Sequence, residues 1–364
     1  MKREKTTYNF NAGPSALPFE VLVKAQQELL DFKQTGMSIM EMSHRGAVYE
    51  EVHNQAIQLI KEHLQISDDY EVLFLQGGAS LQFSMVPMNF LKPESLGAYV
   101  LTGSWSEKAL KEAKLFGETS VIASTKEEQY RRIPSLKEIE IPEQAAYVHI
   151  TSNNTIYGTQ WKNFPNTGHI PLIADMSSDI LCRPIDVNQF GIIYAGAQKN
   201  LGPSGVTLVI IRKDLIEKAN KNLPTMLSYS TYSENNSLYN TPPSFGIYML
   251  QLVMQWVKEQ GGVQAIEQKN IEKAQVIYDA IDQSSGFYKG HAEENSRSLM
   301  NITFTLPNKE LEKKFLEEAK DSGFVGLNGH RSVGGCRAST YNAVPLESCL
   351  ALKDFMVQFQ KANG

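Results

Sequence analysis

The chain has 364 residues, a formal net charge of −5, 42% hydrophobic residues and 21% charged residues. That length suits two domains with a large core, and the acidic balance without a Lys/Arg run argues against a nucleic-acid partner. No apolar run approaches the roughly 20 residues that span a bilayer, so no membrane partner is expected.

The start, Met1 to Lys5, is charged and no apolar segment follows it, so no signal peptide is expected. Residues 8–17, rich in Asn, Gly and Pro, read as chain crossing the surface. A helix is predicted over 47–65, with Val48, Val52, Ala56, Leu59 and Ile60 on one face. Residues 71–75 read as a strand, stopped by Gln76-Gly77-Gly78 before a helix from 79 towards 91. A strand follows at 98–102, and Ser104 is expected to cap a helix through 115. Further strands are predicted at 119–123, 145–150, 171–174, 191–194 and 206–211. This alternation argues for a mainly parallel sheet with helices on both faces.

The pattern changes near residue 245. Helices are predicted over 245–260 and 263–283, separated by Gly261-Gly262. A strand at 299–305, a helix at 308–322 and a hairpin around 325–338 follow. The last helix has Pro345 in its first turn and runs to 360. The expected fold class is α/β, with a large α/β domain over 16–260 and a smaller α+β domain built from 1–15 and 261–364. Cys182, Cys336 and Cys349 are scattered without CxxC spacing, which fits a reducing compartment and a cytoplasmic location.

Five features stand at predicted strand ends, where α/β sheets bind ligands. Gln76-Gly77-Gly78-Ala79-Ser80 opens a helix, so its N–H groups and dipole can cradle an anion, or it is an ordinary turn. Trp105 offers an indole to stack on a flat ring, or it covers a core edge. The hydroxyl of Thr155 can reach a ligand oxygen, or it serves a turn. Asp175 closes an apolar strand, where a carboxylate needs a partner such as a protonated pyridine nitrogen, or it caps a helix. Lys199, between Ala197-Gln198 and Gly202-Pro203, can lose its proton when partly dehydrated and form a Schiff base with an aldehyde cofactor, or it is an exposed turn lysine.

With these five in this order, the chain resembles pyridoxal-phosphate enzymes of fold type I, the aspartate-aminotransferase fold. Within it the chain is similar to the phosphoserine aminotransferase family of the class V group. The most specific segments run from Tyr8 to Pro14, Met42 to Arg45, Gly196 to Asn200, Asn240 to Pro243 and Gly329 to Ser339. The resemblance implies pyridoxal 5′-phosphate on Lys199, with Asp175 on the ring nitrogen, Trp105 against the ring and Thr155 at its phenolic oxygen. It implies that Ala79, Ser80 and Gln198 hold the cofactor phosphate, and that Asn240 and Thr241 reach it from the neighbouring subunit of a homodimer. No metal ligand is assigned.

His44-Arg45 and His330-Arg331 with Arg337 gather positive charge in an acidic chain. The first pair also reads as a solvated tip. In the second set, Gly329 and Gly334-Gly335 let guanidinium groups approach, which favours anion binding. The resemblance assigns the substrate α-carboxylate to Arg337. It assigns the distal phosphate or carboxylate to His330 and Arg331, with His44 and Arg45 from the partner chain. The implied reaction converts 3-phosphohydroxypyruvate and L-glutamate to O-phospho-L-serine and 2-oxoglutarate, a step of serine biosynthesis. Use of 4-phosphohydroxy-threonine, in pyridoxine biosynthesis, is left open. Rival readings are a small-amino-acid transaminase, a desulfurase using Cys336 or Cys349, a nucleotide-binding protein or dehydrogenase, and a non-catalytic protein on this fold. The chain lacks GxGxxG after its first strand and any GxxxxGK[ST] loop.

Overall fold

Apolar runs with no polar alternation become strands covered on both faces; such runs and one half-exposed edge strand, Glu118–Ser124, build the seven-stranded central sheet. In the computed structural model, which describes residues 7–364, their spatial order is Tyr70–Leu75, Thr207–Arg212, Ile192–Gly196, Leu172–Asp175, Ala145–Thr151, Leu96–Leu101 and Glu118–Ser124. Thr207–Arg212 runs antiparallel to both neighbours, and the other pairings are parallel. The charged start, Met1 to Lys5, lies outside the described residues.

Alternate side chains of the inner strands enter different cores. Val72 and Phe74 pack with Val52, Ala56 and Ile60 of helix Ala47–Leu64 and with Leu250 of helix Ser244–Glu259. Leu73 and Leu75 pack with Phe83 of helix Gly78–Phe90 and Leu110 of helix Ser104–Ala113. A third core joins Phe10, Phe304, Phe315 and Phe359 over an antiparallel sheet of Lys289–Gly290, Asn301–Thr305 and Cys336–Ser339. Helix Gly262–Asp282 serves two cores: Val263 and Ile266 enter the first, and Ala274, Ile277 and Ile281 enter the third. Among the described residues, no helix is long and apolar enough to cross a membrane.

Several local expectations are corrected. The segment expected to cross the surface instead pairs Tyr8–Asn9 with Phe324–Val325 and buries Phe10 completely. The expected hairpin over 325–338 splits between two sheets, because Cys336–Ser339 pairs with Asn301–Thr305. The chain still folds back over 327–337, closed by a bridge between Asn328 and Cys336 and by the Val333 and Gly334 N–H bonds to the His330 carbonyl. Gly103, not Ser104, is the cap of helix Ser104–Ala113, and the Ser106 hydroxyl accepts from the N–H groups of Thr102 and Gly103. Pro345 stands just before the last helix, Leu346–Asn363. Helix Phe19–Glu28 has no counterpart in the sequence expectations.

Candidate active site

The carboxyl ends of the parallel strands face one edge of the sheet. The residues that follow them line a cavity of about 370 Å³. Ala79 and Ser80 follow Tyr70–Leu75, Trp105 follows Leu96–Leu101, Thr155 follows Ala145–Thr151, and Asp175 ends its own strand. Gln198 and Lys199 follow Ile192–Gly196. His330 and Arg337 reach the same cavity from the C-terminal region.

The turn before the first of these helices needs glycine. Gly77 has φ +86°, and a Cβ there would lie 2.7 Å from Cδ2 of Leu81. The tight turn brings the first N–H groups of helix Gly78–Phe90 to the cavity wall at Ala79 and Ser80, the dipole end that favours an anion.

Lys199 Nζ donates to Thr155 Oγ1 at 2.9 Å. Burial lowers its pKa to about 8, with Asp175 opposing the shift and Arg337 adding to it. The amine is therefore much closer to its neutral, nucleophilic form than an exposed lysine. Asp175 is buried, and that burial raises its pKa, while two hydrogen bonds from Ser177 and the charge of Lys199 act in the other direction. Both Ser177 donors fall on Oδ1, the N–H at 2.9 Å and the hydroxyl at 2.6 Å. Oδ2 has no protein hydrogen bond among the described residues, so a cationic N–H donor suits it.

Trp105 carries Lys108 Nζ 4.1 Å from its ring centroid, and its own indole N–H is buried without a partner. Arg337 donates from Nη1 to the carbonyl of Thr155 at 3.1 Å, and its Nε is a second buried donor left free. The pKa of His330 is lowered by partial burial and by the charges of Arg337, Arg331 and Lys108. Free donors on Arg337 beside the lysine amine can grip an anion held next to it.

Not every expected site residue meets this cavity within one chain. Arg331 is exposed and stands outside its lining. His44, Arg45, Asn240 and Thr241 also lie outside it. His44 Nε2 and Asn240 Oδ1 are buried without partners. Conversely, the sequence reading missed Ser177, Gly13 and Ser15. A Cβ on Gly13 would touch the Lys199 stem at 3.5 Å, and the Ser15 hydroxyl donates to the Lys199 carbonyl at 2.6 Å. Ser177 carried a signal, since Asp-x-Ser suits a side-chain turn. Gly13 lay within the Tyr8–Pro14 segment without a role assigned to it, and Ser15 carried no signal, because both act across more than 180 residues.

The model of the family described as Aminotransferase class-V matches residues 7–352. A phosphoserine aminotransferase of Lysinibacillus sphaericus is 70% identical over 98% of this chain and 98% of its own length. That of Bacillus subtilis is 60% identical over 99% of each chain. The solved phosphoserine aminotransferase of Bacillus circulans subsp. alkalophilus superposes with a TM-score of 0.98 at 61% identity, over 99% of each chain. Another solved phosphoserine aminotransferase, studied for radiation damage of its Schiff base, has a TM-score of 0.97 at 64% identity, over 98% of this chain and all of its own.

Proposed function

The chain belongs to the class-V aminotransferases, within the phosphoserine aminotransferase family, and we infer that it makes O-phospho-L-serine. The amino group comes from L-glutamate, the acceptor is 3-phosphohydroxypyruvate, and 2-oxoglutarate is released. The cofactor is pyridoxal 5′-phosphate. The observation that carries this reading is the cavity in which Lys199, Asp175, Arg337 and His330 meet.

The residues present suit that cofactor. The unshared Oδ2 of Asp175 answers a protonated ring nitrogen, and the helix start at Ala79 and Ser80, with Gln198, answers a phosphate. Trp105 offers a ring face, and the Thr155 hydroxyl offers a donor beside Lys199. When bound, the cofactor supplies a carbonyl carbon that joins the substrate amine and a ring that withdraws electrons from it.

The chain's own groups do the rest. Arg337 holds the substrate α-carboxylate, with its Nε and free guanidinium edge as donors. Lys199 Nζ would take the α-proton and return it on the far side of the amine nitrogen, two bonds from the α-carbon, and its lowered pKa suits both directions of transfer. Asp175 remains anionic beside the ring nitrogen. His330 and Arg331 meet the distal phosphate of one substrate or the distal carboxylate of the other.

A homodimer completes the arrangement. His44, Arg45, Asn240 and Thr241 serve the cavity of a second copy, which would explain the unpartnered His44 Nε2 and Asn240 Oδ1. Exposed Met37, Met40 and Tyr239 flank the same segments and support an apolar contact there. The three buried, unpaired cysteines support a cytoplasmic setting. The third core, built from Phe10 and residues 274–359, supports a smaller domain of 1–15 with 261–364 beside a large one of 16–260, with Val263 and Ile266 tying the start of its first helix into the large domain's core.

The test is the visible spectrum of the purified holoenzyme before and after O-phospho-L-serine, with L-serine as the control. Loss of the cofactor band with phosphoserine alone supports the assignment. An equal response to both amino acids refutes the phosphate pocket, and a protein that stays colourless when given pyridoxal phosphate refutes the chemistry.

A further inference from the structure

Lys273 is an unusual buried residue. It lies on helix Gly262–Asp282, is 2% exposed, and no carboxylate pairs with it among the described residues. Burying an ammonium is costly unless its donors are all satisfied. Here they are satisfied by three successive backbone carbonyls. Nζ donates to Thr340 O at 3.1 Å, Tyr341 O at 2.7 Å and Asn342 O at 3.4 Å. Three N–H donors meet three carbonyls outside the helices and strands, of which Tyr341 O also accepts from the Val344 N–H at 2.9 Å. Cys182 and Cys349 also face the ammonium, as does Lys269 from its own helix, and burial lowers its pKa only to about 8.

The segment it grips touches the active site on three sides. Strand Cys336–Ser339, which carries Arg337, leads directly into it. The Tyr341 hydroxyl donates to the carbonyl of Ala12, which lines the cavity, at 2.8 Å. The Asn342 N–H donates to Asn200 Oδ1 at 3.0 Å, next to Lys199. Asn270, one turn before Lys273, donates to Asn342 Oδ1 at 2.8 Å, so one helix face holds both the backbone and the side chain of the segment. These bonds link the carboxylate-binding arginine, the N-terminal strap and the lysine turn.

We propose that Lys273 is a positioning residue: by gathering the carbonyls of Thr340, Tyr341 and Asn342 it sets Arg337 against the Lys199 turn and so tunes the grip of the site on a carboxylate. Lys273 touches neither substrate nor cofactor. Its effect passes through Asn342 to Asn200 and through the strand to Arg337. The proposal rests on the reading of Arg337 as the carboxylate site.

The experiment is calorimetric titration of the holoenzyme with glutarate, a dicarboxylate without an amino group, at pH 7. Lys273→Met keeps the stem and removes the donors, and should raise the glutarate Kd by about threefold to thirtyfold. Lys273→Arg restores charge and donors and should recover most of that affinity. A folded Lys273→Met protein that melts earlier but binds glutarate as the wild type does overturns the proposal, since the lysine is then only a structural clamp. Lys273→Gln gives the same reading if the methionine variant does not fold. Arg337→Ala separates the two claims. If it loses glutarate while Lys273→Met does not, the role of Lys273 falls and that of Arg337 stands. If Arg337→Ala binds glutarate normally, the carboxylate assignment fails and the proposal fails with it.

Discussion

Ser177→Ala tests how the buried carboxylate of Asp175 is kept ionised. The substitution leaves the Ser177 N–H bond to Oδ1 intact and removes the 2.6 Å hydroxyl bond. It also strips the Gly196 N–H of its acceptor, since that group donates to Ser177 Oγ at 3.1 Å. A hydrogen bond to a charged group is worth about 1.5–3 kcal/mol, so the anion loses that much relative to the neutral acid. Burial already raises the pKa of Asp175, and the hydroxyl opposes this. Removing the hydroxyl therefore raises it further, and the anion proposed to face the ring nitrogen forms at higher pH. The expected outcome is a fall in kcat/KM of about tenfold to a hundredfold. The fall should be larger near pH 6 than near pH 9, with the acid limb moved to higher pH. Stability falls as well, because the stranded Gly196 N–H costs about 1–3 kcal/mol. Steady-state kinetics across this range, beside thermal unfolding, measure both. A variant that melts earlier but keeps wild-type kcat/KM at both ends of the range refutes the reasoning.

Lys199→Ala should keep the circular dichroism of the native fold and lose turnover, and near-normal activity would remove the lysine from the mechanism. In the apoprotein, uptake of pyridoxal phosphate, followed by absorbance, should speed up as pH rises through about 8 and level off above it, because only the neutral Lys199 amine attacks. Rates that do not change through pH 8 would contradict this. Arg337→Ala should raise KM for both glutamate and phosphoserine by about tenfold to a hundredfold. Arg45→Ala should harm phosphoserine more than alanine-like amines, and equal losses in competition assays would place Arg45 away from the distal anion.

The site was more legible than its supports. Strands buried on both faces read as continuous apolar runs, so Asp175 and Lys199 stand at strand ends in the sequence and in space alike. The direction of Thr207–Arg212 was not legible, because an antiparallel strand buried on both faces has the same composition as its parallel neighbours. Helix Phe19–Glu28 escaped notice because it buries only Val21 and Ala25 and lacks a side-chain cap. The split of the predicted hairpin depends on Tyr8–Asn9, more than 300 residues away, taking Phe324–Val325 as its partner. The role of Lys273 was hidden for a similar reason. Its carbonyl partners lie 67 to 69 residues onward, and a lysine on a helix ordinarily reads as a solvated side chain.

The single reversed strand has a consequence for the lysine itself. Because Thr207–Arg212 runs back beside Ile192–Gly196, the chain leaves and re-enters the sheet at the same edge, and Lys199 sits on a short tether fixed at both feet. The Ala197 N–H donates to the Val206 carbonyl at one foot, and the Ala197 carbonyl accepts from Leu201 and Gly202 inside the loop. A parallel successor would have required a crossover of a dozen or more residues. The tether lets the amine swing while its backbone stays still, so under the proposed role the proton would move between the two carbons flanking the substrate nitrogen from one fixed base.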